Sequence, residues 1–503
     1  MIWNKILFSF LLVIVPFMIF NCSKSAIENS QFVKLPVKSD PTISFRICFN
    51  AGFQYDPPGK EGLAYITARM LTEGSTLENS YEEIIEKLYP IAASYDVQVD
   101  AEQVVIYGRV HKDNLYKFYK LLIESLTKPA FREEDLERVR SSVLNYLENV
   151  LKYSNDEELG KAVLYTEIFK NTKYGHLKEG RISSVKAITV ADVKKFYKKY
   201  YTQKNVIVGI GGRFPAYLVE NLKKDLSALP VGEKISPPEI NPKLISGYEV
   251  VIVEKNTEAT AISMGYPIDI IRGQDDWYAL ALANSWFGEH RNSSSHLYQV
   301  IREARGLNYG DYSYIEYFPE GGRRQFPPPN VARRKQIFEI WIRPVPNEAK
   351  VFALRAAIRE LVRLVDNGMT REDFKITKNF LYSYILNYAP TTMLKLGYAI
   401  DDKFYGIEDG HLKKFKKRLS EVTLDEVNNV IKKYLQYDNM KIIFVTSNAE
   451  ELKNILVEDR PTPISYRTPK QKEILEEDKI IASFPLRIKH ENIKIVKPED
   501  LFQ

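Results

Sequence analysis

The sequence predicts an α+β protein of two tandem homologous domains, each a mostly antiparallel sheet covered by helices. Three observations carry that expectation. The first is size: 503 residues exceed the roughly 250 to 300 at which a single hydrophobic core stops growing. The second is an internal repeat. "ITVADVKKFYKKYYTQKNVIVGI" from Ile188 matches "VTLDEVNNVIKKYLQYDNMKIIFV" from Val422 without a gap at an offset of 234 residues. It pairs Thr189 with Thr423, Val193 with Val427, Tyr200 with Tyr434 and Asn205 with Asn439. A period this long marks duplicated domains rather than a solenoid of short units. The third is texture: β-rich and amphipathic helical runs are mixed without the regular alternation of a doubly wound sheet.

Along the chain, Lys5 precedes an apolar run over residues 6–20, short of the roughly 20 residues that span a bilayer and suited to a secretory signal. The run ends in "MIFNCSKS", which resembles a relaxed bacterial lipobox. That resemblance implies a signal peptide over 1–21, acylation of Cys22 and a lipidated linker over 22–31; a plain signal or an uncleaved anchor is the alternative. The first domain, 32–230, opens with strand-like "TISFRICFNAG" and "EQVVIYGRV", with helices near 62–72, 80–95, 112–127, 132–152 and 189–201. Thr189 and Thr423 each stand where a helix N-cap belongs, with an acidic residue in the first turn. "FREEDLERV" and "MTREDFKIT" repeat at nearly the same offset. The Pro-rich, polar stretch 231–247 reads as the linker, the second domain as 248–465, and the charged, turn-rich 466–503 as an extension draped over it. Cys48 reads as a buried strand residue.

Composition bounds the function. A chain 45% hydrophobic and 27% charged is not generally disordered, and a dispersed net charge of +6 gives no electrostatic footprint for nucleic acid. No nucleic-acid partner is expected.

The segment "NAGFQYDPPGKEGLAYITARMLTEGS" resembles the first motif of the pitrilysin/insulinase family of zinc peptidases, the inverzincins, whose helix bears H-x-x-E-H. "KYGHLKEG" resembles the family's His-Pro-Tyr-Gly segment. The resemblance covers most of 32–460 and implies two tandem domains forming half of a clamshell chamber. In the family the two histidines bind zinc and the glutamate activates water; here those positions hold Tyr65, Arg69 and Ala68. Catalytic zinc takes three protein ligands and a water, whereas arginine is cationic and alanine offers no base. The family's third ligand falls on Tyr146, with Glu148 two places beyond. No metal is expected in this chain, and the helix reads as an ordinary packed helix with Arg69 at its surface.

In the second domain, "FGEHRNSSSHLYQVIREARGLNYGDYSYIEYF" resembles the family's other active-site element, an arginine followed seven residues later by a tyrosine. Arg302 and Tyr309 keep that spacing. The resemblance implies that they hold the substrate backbone and the developing oxyanion, a task suited to charged and phenolic donors. Taken alone they would read as a surface charge and a strand aromatic. Glu289, His290 and His296 fit no standard metal spacing and read as a histidine-bearing loop. The basic, Pro-rich 321–335 reads by default as a solvated hairpin loop, with a chamber rim or partner contact as the other possibility.

The resemblance therefore implies a non-zinc subunit of an exported, lipid-anchored metallopeptidase in the cell envelope. Zinc is expected in a separate homologous subunit, and peptides as the substrates. Two other classes stay open: an inactive binding or assembly protein of the same fold, and a hydrolase with an unrecognised site.

Overall fold

The computed structural model describes residues 27–503, so the expected signal and acylated cysteine lie outside the described residues. Two sheets organise the chain. In the first, β1 (Phe32–Pro36), β2 (Thr42–Phe49), β3 (Ser94–Val99), β4 (Val104–His111) and β5 (Val206–Gly212) lie in the order β1-β5-β2-β4-β3. In the second, β6 (Tyr248–Glu254), β7 (Ala259–Ile268), β8 (Asp311–Tyr314), β9 (Gln336–Pro346), β10 (Met440–Thr446) and β11 (Ile493–Val496) run β11-β6-β10-β7-β9-β8. The inner pairs are antiparallel, whereas β1 with β5, β6 with β10 and β11 with β6 are parallel. This is the expected α+β class.

The repeat is visible as architecture. β5 and β10 occupy equivalent places, each preceded by a helix whose threonine cap accepts from the backbone N–H three residues on: Thr189 before Val190–Tyr200 and Thr423 before Leu424–Tyr434. Between Ala228 and Tyr248 the chain forms no helix or strand.

Two expectations, the helix over 80–95 and the draped tail, need correction, and helices cross between the halves. The helix Asp156–Ile168 of the first half packs on β7 and β10, and the helix Thr392–Tyr405 of the second half packs on β1, β2 and β5. The strand "VIVGIGG" allows this, because a Cβ on Gly209 would lie 2.9 Å from Ile400 and one on Gly211 2.7 Å from Thr392, closer than packed atoms tolerate. The predicted helix over 80–95 ends earlier: Tyr81–Leu88 is helical, and "SYDVQV" is β3, an edge strand whose half-polar alternation hides it. The tail from Tyr466 does more than drape. It adds a helix, Lys472–Ala482, and β11, then reaches the first half, where Ile182 donates its backbone N–H to the Phe502 carbonyl at 2.8 Å.

Candidate functional site: a cavity between the halves

The helix Leu63–Thr72 buries Leu63, Ala64, Ile66, Thr67, Ala68, Met70, Leu71 and Thr72, leaving Tyr65 and Arg69, one turn apart, as its half-buried pair. Its start is held from outside the helix. Both carboxylate oxygens of buried Asp56 accept backbone N–H groups, from Gly62 and Ala64, each at 2.7 Å. Gly62, at φ 99°, and Gly180, at φ 90°, press backbone to backbone, each leaving no room for a Cβ. That contact fixes the loop carrying His176, Lys178 and Glu179 beside the helix.

A cavity of about 580 Å³ opens here, lined by Tyr65 and Arg69, by Tyr146, by Lys178 and Glu179, and by Tyr317 of the second half. The expected positions of the degenerate motif thus meet: Tyr65, Arg69 and Tyr146 share one cavity. Tyr146 arrives there on a π-helical stretch, Tyr146–Ser154, a distortion that frequently marks functional positions. Ala68 is fully buried and does not line the cavity. Glu148 faces away, toward Lys186 at 3.1 Å.

Arg69 is not a surface residue. It forks onto Glu73, Nε to Oε1 at 2.7 Å and Nη2 to Oε2 at 2.6 Å. Burial pulls its pKa down, but the Glu73 bonds and charge outweigh that and raise it. A guanidinium tied to a carboxylate, a phenol and an alanine do not form a zinc donor set, so no step of chemistry is assigned to a metal in this chain. Among the described residues no group of three or more His, Cys, Asp or Glu converges to hold one.

Arg302 and Tyr309 do not line this cavity. Arg302 sits on the π-helical turn Tyr298–Glu303, and its side chain makes no hydrogen bond or ion pair among the described residues. Tyr309 lies in the turn before β8 and is 78% exposed. It is therefore not a strand residue.

The histidines serve packing. His290 is buried, its Nδ1 2.8 Å from the Tyr314 hydroxyl and its Nε2 2.8 Å from the Arg324 carbonyl, while burial lowers its pKa to about 3. His296 stacks on Trp286 and meets Glu360 at 2.6 Å. Burial raises the pKa of Glu289 to about 7, against the pull of the Ser285 and Tyr388 hydroxyls. A carboxyl whose folded pKa lies above its ordinary 4.5 stabilises the fold fully below that value, and the contribution is lost as pH rises through about 7. The melting midpoint is therefore expected to fall between about pH 5 and pH 8 more steeply in the wild type than in Glu289→Gln. Equal slopes in a pair of thermal melts would remove Glu289 as the source.

The stretch 321–335 is not a solvated hairpin loop. Its second half is buried and straps the two halves together. Arg333 forks onto Asp100 at 2.5 and 2.9 Å and lies 3.5 Å over the Tyr317 ring. Arg334 pairs with Glu102. Asn330 accepts from Arg46 at 2.5 Å and donates to Asp401, and Gln98 donates to the Pro329 and Asn330 carbonyls at 3.0 Å. Reading along the sequence missed Asp56, Lys178 and Arg333. "DPPG" and "KYGHLKEG" marked two of these places, but no local signal pointed to the pairing of Arg333 with Asp100.

Comparison with known proteins is consistent with this geometry. Residues 33–178 match the model described as Insulinase (Peptidase family M16), and 187–381 match Peptidase M16 inactive domain. An uncharacterized zinc protease of Rickettsia bellii is 26% identical over 284 residues, 56% of this chain and 66% of its own length, just under two thirds. A protein of Helicobacter pylori named Non-peptidase homolog YmxG is 23% identical over 80% of this chain and 89% of its own. Mitochondrial-processing peptidase subunit alpha-1 of Dictyostelium discoideum is 23% identical over 44% of this chain and 33% of its own. A solved peptidase M16 inactive domain from Pseudomonas fluorescens superposes with a TM-score of 0.73 at 22% identity, covering 83% of this chain and 95% of that one.

Proposed function

The chain belongs to the insulinase (M16) family of peptidases, and we propose that it acts as a non-zinc subunit of a heteromeric metallopeptidase. In this reading a separate zinc-bearing homologue performs the bond cleavage, and this chain supplies Arg302 and Tyr309 to hold the peptide and its developing oxyanion. The observation that carries it is their availability: the half-buried Arg302 side chain has no hydrogen bond or ion pair among the described residues and Tyr309 is 78% exposed, neither lining the chain's own cavity. Donors spent inside the chain could not serve a neighbour. The family resemblance of a two-subunit enzyme, and a relative named as a subunit, support the same division of labour. Peptides would bind as extended segments, for which the edge strand β3, lining the cavity, offers a suitable surface.

The test combines the purified chain with its zinc-bearing homologue and assays peptide cleavage and metal content. The chain alone is expected to hold no stoichiometric zinc and to cleave nothing, while the pair cleaves. One tightly bound zinc per chain, lost on substituting Tyr65 or Arg69, would overturn the reading. A pair that never forms favours the assembly-protein alternative.

Export and anchoring through Cys22 complete the proposal and place the chain in the cell envelope, attached to a membrane by its lipid. Labelled palmitate is expected to enter the wild type and not Cys22→Ser. Equal labelling of both would remove the anchor.

A further inference from the structure

The cavity between the halves gathers hydrogen-bond donors on its wall. Lys178 faces the cavity with 28% of its side chain accessible, and its ammonium has no hydrogen bond among the described residues. The nearest carboxylate oxygen, on Glu179, is 3.8 Å away, outside hydrogen-bonding distance. Its Nζ lies 5.8 Å from the centre of the Tyr65 ring. The hydroxyls of Tyr65, Tyr146 and Tyr317, which line the same cavity, likewise make no hydrogen bond among the described residues. Three phenols and an ammonium thus line one volume large enough for several ligand atoms, with their donor capacity unspent.

Such a set offers direct donors to an acceptor that displaces the water these accessible groups otherwise meet. The arginines around the cavity are already matched within the chain: Arg69 with Glu73, Arg333 with Asp100, and Arg324 with Glu320 at 3.3 Å. Lys178 is the cation whose N–H groups remain available. Glu179, Asp96 and Glu158 are the opposing carboxylates that also line the cavity; burial raises the pKa of Glu179 despite the pull of Lys178. Burial likewise keeps the three phenols protonated, so each remains a donor at neutral pH. A carboxylate has two oxygens and about four acceptor sites, matching four donors where a single amide carbonyl would not.

We propose that the cavity holds a carboxylate of an extended peptide, either its C-terminus or an acidic side chain, with Lys178 as the principal contact and Tyr65, Tyr146 and Tyr317 as the surrounding donors. The inference rests on the reading of this chain as a substrate-holding subunit and adds a preference to it. The second half takes part through Tyr317, so the site exists only when the two halves are closed together.

The test uses the full described chain without any partner and three rhodamine-labelled nonapeptides of alternating valine and threonine. One ends in a carboxylate, one in an amide, and one in an amide with a central glutamate. Fluorescence anisotropy is expected to show one acidic peptide binding more tightly than the neutral amide, and which one identifies the source of the carboxylate. Lys178→Met is expected to weaken that peptide about 10- to 100-fold, as loss of a charge-assisted bond should, with the neutral amide unchanged. Tyr146→Phe, which removes one hydroxyl, should weaken it by a smaller factor and decides the matter if Lys178→Met does not fold. Equal binding of all three peptides, binding of none, or an acidic preference that survives in the folded variants would overturn the proposal. Because no cleavage is read, these outcomes are independent of the turnover assay on the assembled pair, whose failure would instead remove the subunit reading.

Discussion

In the assembled enzyme, Arg302→Ala and Tyr309→Phe are each expected to lower peptide turnover about 100- to 1,000-fold, the usual cost of removing one preorganised oxyanion donor. The expectation follows from placement. Arg302 is half-buried on the turn Tyr298–Glu303 with no hydrogen bond or ion pair from its side chain among the described residues, and Tyr309 is 78% exposed, so neither substitution breaks a polar contact of the fold. A substitution at an exposed position such as Tyr309 typically changes stability by less than about 0.5 kcal/mol. Turnover and stability should therefore separate. Thermal melting and gel filtration of each variant with its zinc-bearing partner should match the wild type, while cleavage of a peptide collapses. If both variants assemble and cleave at the wild-type rate, the two residues have no part in catalysis and the cross-subunit arrangement falls.

The second large effect concerns stability. Arg333→Ala should destabilise the chain by about 3 to 5 kcal/mol, because it strands a buried carboxylate. Asp100 and Arg333 are almost wholly buried, 2% and 4% exposed, and bond in a fork at 2.5 and 2.9 Å. The guanidinium also stacks on Tyr317. Removing the arginine therefore loses a pair, a stack and a link between the halves at once. Replacing both partners by apolar residues, Asp100→Leu with Arg333→Met, should recover much of the loss, since the desolvated charge is then gone. Urea denaturation of the wild type, the single variant and the double variant measures this. A single variant within about 1 kcal/mol of the wild type would show that the strap does not hold the halves together.

The zinc-motif frame was legible because it is local: Tyr65, Ala68 and Arg69 stand within two helical turns, and what they cannot ligate follows from side-chain chemistry alone. Caps at Thr189 and Thr423 were legible for the same reason, each bonding a backbone N–H three residues away. The hidden strand β3 marks the limit of local pattern. Its edge position leaves both faces partly polar, so neither helical nor strand periodicity stands out.

By itself the sequence determined the duplicated α+β units and the family frame, both of which depend on residue type and on spacings repeated along the chain. Only the tertiary structure decided which helix covers which sheet, that 321–335 is a strap rather than a free loop, and that Arg69 faces a cavity instead of solvent. Those facts depend on partners far apart in sequence: Asp100 with Arg333, Arg46 with Asn330, Gly209 with Ile400. Glycines on one face of "VIVGIGG" announce a close approach, but they carry no sign of what approaches. Burial of an ion pair likewise depends on the chain around it, so Arg333 and the neighbouring Arg334, identical as letters, become a 4%-exposed inter-half anchor and an exposed side chain.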